Sequence, residues 1–328
     1  MKILYLYILL FNASMILADD DYSLIDETHK HISERVVLTS TYIDDTIDSF
    51  FDKNNQKEVI KKDIDKIDSF YKNDKFIDET NESFLRVRIE SNYQKLKENS
   101  FDIKLRAYLN FSKTKQNIQL FIEDVNKDNY KELPFKNSNL SDSTMAIGIS
   151  YFTLSYYDID SKYSLGIRGL YPYVKVRYKK DFSYNQWLME ASQSFIYSSK
   201  TNFKEETKLY FDKRLDELNL FRVELARSTK SKQKGMDYLL SLSYFYQPKK
   251  DTGISISQSF VGNTKFNYID DNNLYIYSGI NTYSTEISWR QSVFKKWFFY
   301  EIKPGVDFQK VYNYKINYKI LFLTDFYF

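Results

Sequence analysis

From Ser83 to the final residue, Phe328, apolar and charged side chains alternate with a period of two through one segment after another. Leu85, Val87 and Ile89 alternate with Arg86, Arg88 and Glu90, and Phe101, Ile103, Leu105, Ala107 and Leu109 with Asp102, Lys104, Arg106, Tyr108 and Asn110. Val174, Val176 and Tyr178 stand against Lys175, Arg177 and Lys179, Leu209 and Phe211 against Glu206, Lys208 and Asp212, and Val223 and Leu225 against Arg222 and Glu224. Neighbouring residues of a strand point to opposite faces, so each segment reads as a strand between two unlike environments. A half-buried soluble sheet alternates too, but rarely keeps one face this apolar and the other this charged over so many consecutive strands. Lipid on one side and water on the other explains both faces at once.

The alternation places strands at roughly 83–96, 101–112, 117–125, 145–156, 163–170, 172–182, 186–198, 203–215, 219–229, 236–247, 252–262, 282–294, 297–308 and 314–328. The expected fold is an all-β transmembrane antiparallel barrel of about fourteen strands; merging the two strands around Tyr171-Pro172 would leave twelve. Fourteen puts the long links 126–144 and 263–281 at one end and the short turns Gln247–Asp251 and Lys295-Lys296 at the other, the usual barrel asymmetry. The 30 Tyr and 26 Phe would supply aromatic girdles, although a codon bias toward Tyr, Phe, Lys, Asn and Ile would also raise them.

Before Ser83 the chain changes character. Lys2, the apolar run Ile3–Phe11 and Ala18 ahead of Asp19-Asp20-Asp21 read as a cleaved secretory leader over 1–18. In residues 19–82, Ile32, Val36, Thr39, Ile43, Ile47 and Phe50, then Ile60, Ile64, Ile67 and Tyr71, recur at three or four positions, which predicts helices over about 28–52 and 56–72. This arm holds 18 Asp or Glu against 9 Lys or Arg, and since the whole chain is +3 the part beyond it is strongly basic. An acidic arm joined to a basic barrel (83–328) suggests an arm that covers or plugs the periplasmic mouth, or binds a periplasmic partner. A solvated helical arm beneath the barrel is equally compatible.

The last strand sets Tyr318, Ile320, Phe322, Thr324, Phe326 and Phe328 on one face and Lys319, Leu321, Leu323, Asp325 and Tyr327 on the other. It resembles the closing strand of bacterial outer-membrane β-barrels, where a terminal Phe belongs to the signal read by the barrel-insertion machinery. By that resemblance Phe322, Phe326 and Phe328 form the assembly signal, and the chain meets outer-membrane lipid and lipopolysaccharide in a Gram-negative bacterium. From Ser164 onward, Leu165-Gly166-Ile167-Arg168, Pro172-Tyr173-Val174-Lys175-Val176-Arg177 and Trp297-Phe298-Phe299-Tyr300-Glu301-Ile302-Lys303-Pro304 resemble an uncharacterised proteobacterial outer-membrane barrel family. Ile43–Phe51 and Glu82–Val87 are similar to that family's N-terminal part. The resemblance implies a barrel and no particular substrate. The chain departs from it in having only 8 Gly and in ending Phe-Tyr-Phe, where Phe-Gly is commoner.

With no Cys, thiolate metal sites, disulfides and Cys nucleophiles are excluded. The two histidines, His29 and His31, both lie in the arm, which leaves the barrel without the usual general base, so neither catalysis nor a cofactor is expected. Their spacing puts the rings on different helix faces, so a solvated surface is favoured over a metal site with Asp26 or Glu27. No Gly-rich phosphate loop occurs, and the basic run Lys230–Lys234 falls in an expected external turn, so no nucleic acid is expected. The charged face of the strands is the candidate functional surface. Arg86, Arg88, Lys104, Arg106, Lys175, Arg177, Lys179, Lys208, Arg214, Arg222, Arg290, Lys303 and Lys319, with Glu90, Asp102, Glu206, Asp212, Glu224, Glu286, Glu301 and Asp325, would line the lumen. That face is either a salt-bridged brace or a net-basic pore for small solutes or ions.

Overall fold

The computed structural model describes residues 24–48, 66–71, 75, 83–110, 118–125, 144–231, 234–270, 273–293 and 296–328. The expected leader 1–18 and the long link after residue 125 lie outside them. Among the described residues the alternating segments form fourteen antiparallel strands, each paired with its neighbours in sequence and closed into a barrel by the first against the last. The strands are β1 Phe84–Gln94, β2 Ser100–Asn110, β3 Ile118–Val125, β4 Thr144–Tyr156, β5 Ile159–Arg168, β6 Tyr171–Tyr184 and β7 Trp187–Ser198. They continue with β8 Asn202–Arg214, β9 Asn219–Lys230, β10 Met236–Lys249, β11 Thr252–Asp270, β12 Asn273–Ser292, β13 Phe298–Gln309 and β14 Ile316–Tyr327. Among the described residues two helices precede them, α1 Leu24–Asp48 and α2 Lys66–Tyr71. None is long and apolar enough to cross a membrane.

Local chemistry explains why there are fourteen strands and not twelve. Between β5 and β6 the chain reverses on Gly169-Leu170, with Gly169 at φ 61°, a left-handed position that Gly adopts without penalty. Pro172 stands opposite Ile167 and leaves the pair intact. Tyr157 and Asp158, both left-handed, make an equally tight turn between β4 and β5. The expected long link 263–281 requires correction. There β11 and β12 continue as one hairpin out to Asp270↔Asn273, with Phe266↔Tyr277 and Tyr268↔Tyr275 in register. The irregularities around Gly262 and Asn263 look like a strand end in sequence but are bulges, which interrupt a ladder without ending it.

Register separates the two faces. The start of β1 and the end of β14 share one mouth, called here the terminal mouth. Ile147, Leu165, Ile256 and Ile287 are all about half exposed on the outward face. Aromatics flank this aliphatic band: Tyr184, Tyr246 and Trp289 toward the terminal mouth, Tyr197, Phe203 and Tyr318 toward the other. On the opposite face, Arg86, Arg177, Lys179, Asp212, Arg222, Arg290, Glu301 and Asp325 are buried.

Candidate functional site

Six residues, Lys-Ile-Asp-Ser-Phe-Tyr, make a helix too short to be stable alone. What holds α2 is the terminal mouth of the barrel. Ile67 is 1% exposed, and Phe70 and Tyr71 are buried beside it. The Phe70 ring meets Phe299 of β13 edge-on at 6.0 Å, and Tyr71 meets Phe245 of β10 at 5.0 Å. Gly253 of β11 makes the room: a Cβ there would lie 2.6 Å from Phe70 and 2.7 Å from the Tyr71 hydroxyl.

Charge completes the seat. Arg222 of β9 donates to both oxygens of Asp212 at 2.7 Å and to Asp68 of α2 at 2.8 Å. Lys75 donates to Asp212 at 2.7 Å and lies 3.8 Å from Asp68. Two carboxylates and two cations thus alternate, one of each from the arm. The Arg222 guanidinium also lies over the Tyr210 and Phe245 rings, at 5.5 and 5.6 Å. Burial and Arg222 push the Lys75 ammonium down, but Asp212 and Asp68 outweigh them and the net direction is upward. Burial, with the Glu301 charge, holds the Tyr71 phenol well above its usual range.

A second network adjoins it. Asp325 of β14 accepts from Arg88 of β1 at 2.5 Å and from Arg290 of β12 at 2.8 Å. Arg290 reaches Glu301 at 3.2 Å, lies 4.5 Å above the Phe299 ring and donates Nε to the Phe70 carbonyl at 3.4 Å. Glu301 also receives Ser288 at 2.5 Å and Lys303 at 3.0 Å. The two networks therefore hold α2 from different strands, Arg222 through Asp68 and Arg290 through the Phe70 carbonyl.

Helix α1 lies along the same rim. His29 stacks on Trp297 at 4.3 Å and on Phe328 at 5.0 Å, and its Nε2 donates to the Tyr327 carbonyl at 2.8 Å. Eleven residues on, about 16 Å along the helix, Ser40 donates to the carbonyl of Asn110 at the end of β2 at 3.4 Å. The expected solvated surface for His29 is thereby corrected: its ring packs on aromatics at the seam. Among the described residues no group of three or more His, Asp or Glu could hold a metal ion.

The remaining sequence-expected residues fall into smaller sets. Lys104 donates to Glu90, whose other oxygen lies 3.9 Å from Arg88. Arg86 is buried in register with Arg106 and Tyr327. Arg177 and Lys179 lie 3.7 and 3.6 Å from Glu190, and Lys204 lies 2.5 Å from Glu206, within electrostatic reach of Lys175 and Lys208. Glu224 accepts from Tyr210 at 3.3 Å. Lys319 bonds Glu286 and lies 3.0 Å from Asp307. Phe322 and Phe326 contact Tyr93 and Phe298 on the outward face, while the Phe328 backbone exchanges two hydrogen bonds with Leu85 across the closing seam. Sequence reading missed Asp68, Phe70, Lys75 and Gly253 as a set. The only signal was an apolar Ile67…Phe70-Tyr71 run inside an acidic arm.

No protein-family model matches the chain, and no curated protein matches it. Among solved structures the chain is similar to porin-like outer-membrane barrels. A loop-deletion form of OmpT, an outer membrane protein of Vibrio cholerae, is 7% identical over 75% of this chain and 98% of that one, with a TM-score of 0.45. The KdgM porin in complex with disordered oligogalacturonate is 8% identical over 74% and 98%, at 0.35, and OccK11 (OpdR) of Pseudomonas aeruginosa 8% over 75% and 95%, at 0.41. These distant likenesses are of barrel form and carry nothing about cargo.

Proposed function

We propose that this chain is an outer-membrane β-barrel that acts as a small-solute or ion channel, with a charged, net-basic lumen covered on the periplasmic side by its acidic N-terminal arm. The observation that carries the reading is α2 seated in the terminal mouth by the Asp68–Arg222–Asp212–Lys75 ring. A closed barrel whose outward face is apolar satisfies every backbone group without water, as a membrane requires. Tight turns occur at both mouths, on Tyr157-Asp158 and Asn185 at the terminal one and on Gly169-Leu170 at the other, so the periplasmic placing of the terminal mouth follows from the resemblance of the last strand. The cations of β6 and β8, Lys175, Arg177, Lys179, Lys204 and Lys208, favour anions in the lumen. Lipid, lipopolysaccharide and the insertion machinery are its partners. No enzymatic step is assigned to it.

A second reading has its own support: nearly every inward carboxylate named above already has a cation, as in a brace that holds a non-conducting barrel shut. The arm would then serve a periplasmic partner. Heat-modifiability on a gel and single-channel conductance, for the full-length protein and for a form lacking residues 19–82, separate the two. Conductance that rises on removing the arm supports the channel. A heat-modifiable barrel silent in both forms refutes it in favour of the brace.

A further inference from the structure

On the outward face, amid apolar side chains, β7–β9 carry four polar residues bonded to one another. Gln193 donates to Glu205 at 2.9 Å, and Thr207 donates to Gln193 at 2.5 Å. Arg227 gives Nε to Thr207 and Nη2 to Glu205, both at 2.9 Å. Register fixes the face: Thr207 stands between Gln193 and Arg227, one position off the inward Glu206 and Lys208.

The position of this cluster along the strands matters. Tyr197 and Phe203 are exposed between it and the β7–β8 turn, with the exposed Phe195 level with Glu205, and the Phe195 and Phe203 rings stack at 6.1 Å. Aromatics of this kind mark the membrane interface, so the cluster lies on the hydrocarbon side of it. An Arg on a lipid face costs roughly 2–4 kcal/mol at the midplane and less toward the interface, and ionisable groups at such depth normally face protein or water. Yet the Arg227 side chain is 49% exposed and that of Glu205 29%.

We propose that the β7–β9 face is the contact surface for a second copy of this chain, in a two-fold interface where Arg227 of each copy reaches Glu205 of the other. A patch with one cation, one carboxylate, an amide and a hydroxyl is neutral and complementary to itself, the condition for a two-fold contact. Lipid tails offer it neither donor nor acceptor. A second copy brings an Arg227 together with each Glu205, so the two pairs close into one alternating set of charges, whereas a lipid phosphate would add only a further anion beside Glu205. The inference rests on the membrane-spanning reading and is independent of whether the barrel conducts.

The test is the stoichiometry of the full chain by single-molecule photobleaching in bilayers, with heat-modifiability followed separately as the measure of an inserted barrel. The wild type is expected to be a dimer. Arg227→Glu, which sets like charges face to face, is expected to weaken pairing at least tenfold, and combining it with Glu205→Arg to restore it. The Glu205→Leu, Arg227→Leu pair, which keeps the face apolar, is expected to be a monomer that stays heat-modifiable. A wild-type barrel that is inserted but monomeric, one that binds lipid A as a monomer, or an Arg227→Glu form that pairs as tightly as wild type overturns the proposal.

Discussion

Arg290 and Asp325 meet at 2.8 Å with side chains 1% and 0% exposed, and the other oxygen of Asp325 takes Arg88 at 2.5 Å. One carboxylate thus pairs with two guanidiniums from different strands beside the closing seam, and Glu301 supplies the further negative charge at Arg290. Removing one partner of a buried ion pair costs about 3–5 kcal/mol, because the other charge stays buried. Asp325→Asn keeps the shape and removes the charge, and is expected to destabilise the barrel by about that amount. The temperature at which the folded band disappears on a gel measures it; a variant as heat-resistant as wild type would show that water already screens the pair.

Gly253 and Phe70 touch across the arm–barrel boundary, so the arm can be displaced without altering it. Gly253→Val places methyl groups where Phe70 and Tyr71 sit. Asp68→Asn removes one of the carboxylates bonded to Arg222. Both are expected to leave the barrel heat-modifiable, to make the arm more sensitive to protease, and to raise conductance if the arm occludes the pore. Protection of the arm unchanged in both would mean that α1, through His29 and Trp297, holds it alone.

Alkaline pH should release the arm. Lys75 and Tyr71 both have values raised in the docked state, so each contributes its full stabilisation below its free value, about pH 10. That contribution is lost as pH rises toward the docked values. Because the chain has no Cys, a cysteine at the exposed Val37 can carry one fluorophore. Its anisotropy is expected to hold steady from pH 7 to 9 and to fall above about pH 10. An anisotropy that stays level throughout would show that neither group holds the arm.

Phe328 can act in two ways, as part of an assembly signal and as the last rung of the closing seam. Deleting it removes two backbone hydrogen bonds to Leu85 and the stack on His29. The expected result is little inserted barrel in cells but recovery of the heat-modifiable form on refolding into detergent. Failure in both settings would assign Phe328 to structure alone.

Strand positions were legible in the sequence because a strand's alternation is written locally: Arg86, Arg88 and Glu90 must share a face whatever surrounds them. The β11–β12 extension was not, because Gly262 and Asn263 look alike at a bulge and at a strand end. For the candidate site, alternation put Asp212, Arg222, Arg290, Glu301 and Asp325 on the inward face and charge suggested an acidic arm at a basic mouth, but nothing marked Asp68, Phe70 and Lys75 as their partners.

The sequence by itself determined the faces, the closing strand and the helical period of the arm, since each depends on residues a few positions apart. Tertiary structure decided which charge meets which. Asp325 serves Arg88 and Arg290 because barrel closure sets β1 and β14 side by side and brings β12 within reach. Asp68 finds Arg222, 154 positions away, only because Ile67, Phe70 and Tyr71 gain burial inside the mouth. Pairings between distant residues follow from closure and burial, and local periodicity holds no record of them.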